Sequence, residues 1–394
     1  MPRLALLAAF AAACGGGSGG SIDARVADGN TADVALDAPH CAAATGAYPR
    51  AIPVDAEAEG AGDPSFAADP ASDRLWMTYS SVALGPSDLG LVSTRLAYSD
   101  DGGATFCDAG VINASTAIAT PPPELAGVTA YWNHEVSTLI YDPQAPAAEA
   151  WRLDWQRYLI AATGGADQRQ FQYSWISEKR AASPTLLASA PEHKLLAAAG
   201  YATTSSVQAY NDAVIGPPET RVDQLDPALA DCAVMTEPGL YAAPDARWLA
   251  IYCGTPSAAS ARTILLEDAR AGSWHYVARL LGQAEAQHID AALDGFGAPA
   301  LFASGGSTYL LATPSAGGIY KGCIEYQLAL PAGTLYDGNG DGQPDPLRAV
   351  MGPTSFSGAC AYDPRLGGNG FAMDSFDISV SPPAFSIVET GVTP

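Results

Sequence analysis

The chain has 394 residues, of which 42 are acidic and 19 are basic, giving a formal net charge of −23. This excess of negative charge excludes nucleic acid as an expected partner, because binding it depends on cationic side chains that neutralise phosphates. In an exported protein the same charge favours solubility.

The N-terminus has the features of an export signal. Arg3 precedes a short apolar run that ends at Ala13, well below the roughly 20 residues that a transmembrane helix needs. The small residues before Cys14 resemble the lipobox of bacterial lipoproteins, in which the cysteine is lipid-modified. The resemblance implies that residues 1–14 are a lipoprotein signal peptide, and that Cys14 anchors the exported protein to the outer membrane or cell surface. Because Ala11 stands where leucine is usual, ordinary signal-peptidase cleavage is the alternative.

Residues 15–50 are rich in Gly, Ala, Asp and Ser and contain few aromatic side chains. Such a composition buries too little apolar surface to order itself, so these residues are predicted to form a disordered, flexible tether. The folded domain is predicted to span residues 51–394.

Six cysteines remain after Cys14, an even number that predicts up to three disulfides in an oxidising compartment. Counting alone does not fix their pairing. Cys232 with Cys253 and Cys323 with Cys360 are near enough in sequence to link neighbouring strands. A zinc site is the weaker alternative, because no two cysteines have the close spacing of zinc ligands.

The predicted domain consists of short aromatic and β-branched runs separated by Gly and Pro. This pattern predicts many short strands and an all-β fold. A repeat of roughly fifty residues divides the domain into five segments, which predicts a five-bladed β-propeller. Helical patterns are scarce, and residues 191–202 are the best candidate for a short helix.

Three acidic residues open three successive segments in the same way: Asp63, Asp142 and Glu237. If the run after each acid is the inner strand of a blade, the three carboxyls converge on one central cavity. Such a group suits glycosidic bond cleavage, because one carboxyl protonates the leaving oxygen and another activates water. Asp-Pro pairs are also ordinary turn formers, which is the alternative for Asp63 and Asp142.

Residues Ser99 to Phe106 fit the pattern S-x-D-x-G-x-T-[FW], called an Asp-box. Its Asp accepts backbone N–H groups in a tight turn, its Gly supplies positive φ, and its aromatic residue anchors the next strand. The motif supports a propeller but says little about a substrate.

These features together resemble the five-bladed β-propeller glycosidases of family 43, which include arabinanases and β-xylosidases. In that family a "DPS" segment carries the catalytic base, a second Asp orients and tunes the acid, and a Glu opening blade three is the general acid. Asp63-Pro64-Ser65 matches the first segment and Asp142-Pro143 the second. The segment from Thr236 to Tyr241 is similar to the third, with its small residues reordered.

The resemblance implies an inverting hydrolase that acts on arabino- or xylo-type glycans. Asp63 would deprotonate water, Glu237 would protonate the leaving oxygen, and Asp142 would tune Glu237. Trp76, Trp132 and Trp155 are candidates for stacking on sugar rings, although strand aromatics in propellers more often belong to the core.

The segment from Asp337 to Asp345 has the spacing of a calcium loop. Asp337, Asn339, Asp341 and Asp345 supply oxygen ligands at positions one, three, five and nine, with Gly342 at position six. Calcium is therefore a possible cofactor. A solvent-exposed Asp/Gly turn is the alternative.

Two other classes of function are open. A sialidase-like enzyme would share the Asp-box and the export signal, but would have six blades, several Asp-boxes, an arginine cluster and a Tyr/Glu nucleophile pair. A non-catalytic surface lipoprotein would use the same propeller to bind glycans or a protein partner.

Overall fold

The computed structural model describes residues 41–54, 56–57, 59–163, 168–367, 370–377 and 384–392. The predicted signal peptide, Cys14 and most of the predicted tether lie outside these residues. Within the described part of the chain, no helix has both the length and the apolar character needed to span a membrane.

Most of the described chain forms short, mainly antiparallel strands, which group into four hydrogen-bonded sheets and five blades. The nine-stranded sheet contains blades one and five, because the last strand of the chain pairs with the first strand of blade one. Two short strands precede blade one in the chain, namely β1 (Cys41–Ala43) and β2 (Arg50–Ile52). Blade one consists of β3 (Gly60–Ala68), β4 (Leu75–Leu84), β5 (Gly90–Ser99) and β6 (Thr105–Asn113). Blade two consists of β7 (Thr116–Ala117), β8 (Ala130–Tyr141), β9 (Trp151–Ala161), β10 (Arg169–Ala181), β11 (Glu192–Ala197) and β12 (Thr220–Arg221).

The remaining three blades follow in chain order. Blade three consists of β13 (Val234–Ala242), β14 (Arg247–Gly254), β15 (Arg262–Asp268) and β16 (His275–Gly282). Blade four consists of β17 (Gly295–Ser304), β18 (Ser307–Ala316), β19 (Ile319–Tyr320), β20 (Cys323–Ala329), β21 (Thr334–Leu335) and β22 (Arg348–Val350). Blade five consists of β23 (Phe356–Tyr362), β24 (Phe371–Asp377), β25 (Ala384–Glu389) and β2.

Among the residues that the structure describes, helices are few and short. The α-helices are α1 (Ser205–Ala213), between β11 and β12, and α2 (Gln283–Ile289), between β16 and β17. The 3₁₀ segments are Pro86–Asp88, Pro123–Leu125, Ala147–Glu149, Pro184–Ser189, Ala199–Ala202, Val222–Gln224, Pro227–Leu229 and Ala258–Ser260.

Five inner strands, one from each blade, form a closed ring. β3 contacts β8, β8 contacts β13, β13 contacts β17, β17 contacts β23, and β23 contacts β3. One apolar cluster lies at each of the five junctions between neighbouring blades. Burial on both faces explains why the strands read as nearly continuous hydrophobic runs rather than alternating ones. The predicted five-bladed β-propeller is confirmed.

The N-terminal strands complete the outer edges of two blades. β2 pairs with β25, placing Ile52 opposite Ile387, so that the last blade takes its outer strand from the start of the domain. β1 pairs with β6, placing Cys41 opposite Cys107. The prediction of a tether that reaches residue 50 is therefore wrong from Cys41 onward, because two three-residue strands are too short to give a periodic signal.

Three disulfides join the six described cysteines. Cys232–Cys253 and Cys323–Cys360 are the two pairs suggested by their separation in sequence, and Cys41–Cys107 is the third. Cys323 lies in blade four and Cys360 in blade five, so this bond crosslinks two blades.

The predicted Asp-box forms the turn between β5 and β6. Asp101 Oδ1 accepts hydrogen bonds from Thr105 N at 2.8 Å and from Ser99 Oγ at 2.8 Å. Gly103 N donates to Ser99 Oγ at 2.8 Å, and Phe106 is buried in the core. These side-chain bonds fix the turn that starts the outer strand of blade one.

The short helix predicted over residues 191–202 is wrong. Glu192–Ala197 is the strand β11, which pairs with β10, and Ala199–Ala202 is a single 3₁₀ turn. Leu195 and Leu196 are both fully buried. Pairing and burial at the blade edge outweigh the helix propensity of the Leu and Ala residues.

Candidate active site

All five inner strands carry an irregularity at the same place. The register with the second strand of the blade shifts between Gly62 and Ser65, Glu135 and Ser137, Thr236 and Gly239, Gly297 and Ala300, and Gly358 and Ala361. Each shift contains one non-glycine residue with positive φ, namely Asp63 (51°), Val136 (48°), Glu237 (59°), Ala298 (42°) and Ala359 (47°). Bulges of this kind redirect side chains and often lie beside functional sites.

Two of the bulge residues are acidic, and they meet in one pocket of the central channel. Asp63 and Glu237 are both buried, with 8% of each residue exposed. The pocket is narrow and partly open to solvent. Its lining consists of Asp63, Glu135, Val136, Gln156, Arg169, Phe171, Thr236, Glu237, Tyr320, Phe356 and Asp374. The structure thus brings together two of the three acids predicted from the sequence.

Asp142 does not line this pocket. It follows the end of β8 and is fully buried. Arg270 Nη1 contacts its two carboxylate oxygens at 3.0 and 2.9 Å, and Arg152 Nε lies 3.7 Å from Oδ2. Burial acts to raise the pKa of Asp142, but the hydrogen bonds from Arg270 and from the Gln144 backbone, together with the charges of Arg270 and Arg152, outweigh it and hold the pKa below its ordinary value. The structure thus places Asp142 in an ion pair rather than with the other two acids.

Glu135 supplies the pocket carboxyl of blade two. It immediately precedes the bulge residue Val136 in β8 and is 4% exposed. Burial raises the pKa of Glu135, while the charge of Arg169 and the hydroxyl of Tyr158 oppose that rise. The sequence analysis missed Glu135 because no proline or turn residue follows it. Alignment of the five inner strands on their bulges is the signal that identifies it.

Asp374, on β24, is a fourth buried carboxyl in the pocket. Its Oδ1 accepts a hydrogen bond of 2.6 Å from the backbone N–H of Asp63. Burial, followed by the negative charge of Glu135, raises the pKa of Asp63 to about 7. Burial and the neighbouring charge of Asp63 raise the pKa of Asp374 well above its ordinary value. Protons are therefore retained in this pocket at a pH where exposed carboxyls are ionised.

Glu237 is held at both of its carboxylate oxygens. Ala298 N donates to Oε2 at 2.8 Å, and the phenol of Tyr320 donates to Oε1. Burial raises the pKa of Glu237, although both hydrogen bonds act to lower it. The side chain is therefore fixed in direction while its proton affinity stays above the ordinary value for glutamate.

Gly297 makes room for this contact. A Cβ atom at this position would lie 2.8 Å from Tyr320 Oη and 2.9 Å from Glu237 Oε2. Such distances are shorter than ordinary carbon–oxygen contacts, so a larger residue would displace the Tyr320–Glu237 pair.

The other half of the channel is mainly apolar. It is lined by four of the bulge residues, Asp63 among them, and by the inner-strand segments that follow the bulges. These segments include Phe66, Leu139, Leu240, Leu301 and Phe302. The ring of bulges thus divides the channel into an acidic part and an apolar part.

The three tryptophans predicted to stack on sugar are core residues. Trp76, Trp132 and Trp155 are 4%, 6% and 0% exposed, and each belongs to a packed apolar cluster. Trp155 Nε1 donates to His134 Nδ1 at 2.9 Å. The predicted stacking role is wrong, because the strands that carry these residues are buried on both faces. Phe171, Tyr320 and Phe356 are the aromatic residues that line the pocket.

The predicted calcium segment is an exposed turn in blade four. Its carboxylates accept backbone N–H groups, with bonds from Gly340 N to Asp337 Oδ1 at 2.7 Å and from Gly338 N to Asp345 Oδ2 at 2.7 Å. Asn339 Oδ1 accepts from Asp341 N at 2.8 Å. This is the geometry of the Asp/Gly turn given above as the alternative, and calcium binding stays a prediction.

No protein-family model and no curated protein sequence matches this chain. Solved structures with a similar fold include an endo-arabinase from Bacteroides thetaiotaomicron, with 11% identity, coverage of 83% of this chain and 93% of that one, and a TM-score of 0.44. An arabinanase from Bacillus subtilis has 13% identity, coverage of 85% and 95%, and a TM-score of 0.42. A family 32 glycoside hydrolase from Bifidobacterium adolescentis has 11% identity, coverage of 86% and 56%, and a TM-score of 0.48. These values are too low to assign chemistry to any residue of this chain.

Proposed function

We propose that this protein is a glycoside hydrolase that cleaves arabino- or xylo-type glycans with inversion at the anomeric carbon. The observation that carries the proposal is the convergence of Asp63, Glu135 and Glu237, from three different blades, on one buried pocket. This reaction requires one carboxyl with a raised pKa, which stays protonated as the acid, and a second carboxyl that is ionised as the base, both in a concave site. Export and attachment to a bacterial membrane or surface through Cys14 are part of the proposal.

The reaction divides between two carboxyls. Asp63, as carboxylate, takes a proton from a water molecule whose oxygen attacks the anomeric carbon. The glycosidic C–O bond breaks, and Glu237 transfers its proton to the departing oxygen. One water is consumed, and the proton balance closes when Asp63 returns its proton to solvent and Glu237 regains one.

Glu135 takes the tuning role that the sequence analysis gave to Asp142. Its charge raises the pKa of Asp63 and the pKa of Glu237. A like charge close to an acid disfavours ionisation of that acid, which keeps Glu237 protonated at higher pH. Gln156 and Thr236 add polar groups to the same pocket.

The test is a hydrolysis screen of the full mature chain on arabino- and xylo-oligosaccharides. We expect wild-type protein to release reducing sugar, and Glu237→Gln and Asp63→Asn to lose roughly 10²–10⁴-fold in rate. Asp363→Asn is the matched control, since Asp363 is a buried aspartate that lies outside the pocket. Binding of these oligosaccharides without turnover by wild-type protein would instead favour a non-catalytic glycan-binding propeller.

The hydrogen bond between Tyr320 and Glu237 favours a second candidate, a retaining hydrolase. Here Glu237 takes the phenol proton, Tyr320 attacks the anomeric carbon as the glycosidic C–O bond breaks, and Asp63 protonates the leaving oxygen. Water then attacks the same carbon and gives a proton to Asp63, while the bond to Tyr320 breaks and the phenolate regains its proton from Glu237. This is the Tyr/Glu arrangement of the sialidase-like alternative. Among the described residues, however, the pocket lining contains one arginine, Arg169, rather than a cluster. Proton NMR of the first product formed distinguishes inversion from retention.

A further inference from the structure

Asp374 holds the backbone of Asp63 in its unusual conformation. Asp63 has a φ of 51°, which costs energy for any residue other than glycine. Its N–H group donates to Asp374 Oδ1 at 2.6 Å across the junction between blades one and five. The bond is buried, and both residues are less than 10% exposed. Asp374 therefore helps to fix the direction in which the Asp63 carboxyl points.

The two carboxyls lie close together, because both line the same buried pocket and Asp374 Oδ1 is 2.6 Å from the backbone nitrogen of Asp63. Two ionised carboxylates this close to each other and shielded from water repel, and neither has a hydrogen to donate to the other. Retention of one proton by the pair removes this repulsion and allows one carboxyl to donate to the other. The direction of the pKa shifts agrees, since burial raises the pKa of both groups.

Other charged or titratable groups share the pocket and affect this proton. They are Glu135 on β8, Arg169 on β10, Glu237 on β13 and Tyr320 on β19. Two further carboxyls and a phenol thus share the pocket with Asp63, Asp374 and one guanidinium, so ionisation of Asp374 in addition to Asp63 is disfavoured. Retention of one proton by the pair relieves this repulsion.

We infer that Asp374 is a positioning residue that stays protonated when Asp63 is ionised, donates its hydrogen to the Asp63 carboxylate, and fixes the Asp63 backbone through its other oxygen. The catalytic meaning of this pair rests on the proposed function. A protonated Asp374 stabilises the base form of Asp63 without adding a charge beside it. The general base is thus held by a neutral acid from another blade.

The space for Asp374 depends on Gly62. A Cβ atom on Gly62 would lie 3.1 Å from Asp374 Oδ2 and 3.4 Å from Oδ1. Gly62→Ala therefore presses on the Asp374 carboxyl without changing a charged group, and gives a second way to disturb the pair.

The experiment is a pH titration of the full mature protein carrying ¹³C at the aspartate side-chain carboxyls. Asp63 and Asp374 are assigned by the loss of one signal each in Asp63→Asn and Asp374→Asn. We expect the wild-type pair to retain one proton at about pH 6, where ordinary aspartates are ionised. In Asp374→Asn the amide replaces the acid as donor, so the Asp63 signal titrates nearly as in wild type. In Asp374→Ala the donor is lost and the pKa of Asp63 rises.

Activity gives a second readout on any oligosaccharide that the wild-type protein cleaves. Asp374→Asn should keep kcat within a few-fold of wild type, whereas Asp374→Ala should lower kcat by roughly 10²-fold through misplacement of the base. Gly62→Ala should fall between them. Asp363→Asn is the control for loss of a buried aspartate, and thermal unfolding of each variant shows whether it is folded.

Full ionisation of both Asp63 and Asp374 at about pH 5 in wild-type protein would overturn the inference, whatever the protein hydrolyses. Equal loss of kcat in Asp374→Asn and Asp374→Ala would also overturn it, because the neutral donor would then not suffice. Absence of hydrolysis with the expected titration would contradict the proposed function alone, since the titration does not depend on turnover.

Discussion

Asp63 and Glu237 occupy the same position in the inner strands of blades one and three. Each lies in the bulge of its strand, each has a left-handed φ, at 51° and 59°, and each is followed by proline. The two side chains are therefore directed into the pocket by the same backbone device, repeated around the ring. Blade four has the same device at Ala298 and Pro299 but without a carboxyl. The bulge repeated in each blade thus sets the direction of the side chain, and blades one and three carry an acidic residue at that position.

Asp63→Asn should stabilise the protein at neutral pH while removing hydrolysis. Burial raises the pKa of Asp63 from 3.8 to about 7 in the folded protein. The folded state therefore binds this proton more tightly than the unfolded chain, and the resulting stability is lost as pH rises from about 4 to about 7. Asparagine carries no charge and tolerates positive φ. We expect the variant to be roughly 1–3 kcal/mol more stable at pH 7, measured by denaturant unfolding.

Asp100→Asn is the control, because the pKa of Asp100 is shifted in the opposite direction to that of Asp63. Asp100 forms hydrogen bonds with Arg74, and these lower its pKa. Its removal should not stabilise the protein at any pH. Equal unfolding curves for wild type and Asp63→Asn across this range would contradict the raised pKa of Asp63.

Tyr320→Phe should shift the pH dependence of hydrolysis. The phenol donates to Glu237 Oε1, and this bond lowers the proton affinity of the carboxyl against the effect of burial. Without it the pKa of Glu237 rises, so the alkaline limb of the rate profile should move to higher pH. The measurement is kcat/KM against pH for both proteins. In the retaining mechanism the same variant loses its nucleophile, so complete loss of activity would favour that candidate.

The blades were predictable from sequence because each contributes several short apolar runs with Gly and Pro between them. Asp63 and Glu237 were found because a proline follows each acid and marks the bulge. Asp142 has the same Asp-Pro signature, but its pair forms the turn after β8 rather than the bulge within it. Local sequence does not distinguish a bulge inside a strand from a turn at its end, because both favour the same residues.

Two further pocket residues could not be predicted from the sequence. Asp374 lies on the second strand of blade five and Tyr320 on a two-residue strand of blade four, so neither follows the inner-strand pattern. They reach the pocket past Gly62 and Gly297, where a side chain would collide with them. Such an approach depends on the packing of neighbouring strands, which a single sequence does not show.

Gly297→Ala should reduce hydrolysis without unfolding the protein. Its Cβ would lie 2.8 Å from Tyr320 Oη and 2.9 Å from Glu237 Oε2, so both groups must move. A shift of about 1 Å in a catalytic group lowers rates by roughly 10²-fold. Gly295→Ala on the same strand is the matched control, since its nearest contact would be Ser315 Oγ at 3.7 Å. Equal rates for the two variants would show that the Tyr320–Glu237 contact does not matter for turnover.

Asp142→Asn should lower the folding stability, whereas Glu135→Gln should change the pH dependence of hydrolysis. Asp142 is buried against Arg270, so loss of its charge leaves the guanidinium without its partner and should cost about 1–3 kcal/mol of folding stability. Its pH–rate profile should match that of wild type at temperatures where both proteins are folded.

Glu135→Gln removes a negative charge that raises the pKa of Asp63, so the acidic limb of the profile should move to lower pH. If Asp142→Asn moved the profile and Glu135→Gln did not, Asp142 rather than Glu135 would be the residue that sets the pKa of the acid. Its influence on Glu237 would then be indirect, through its ion pair with Arg270 and the strand β13.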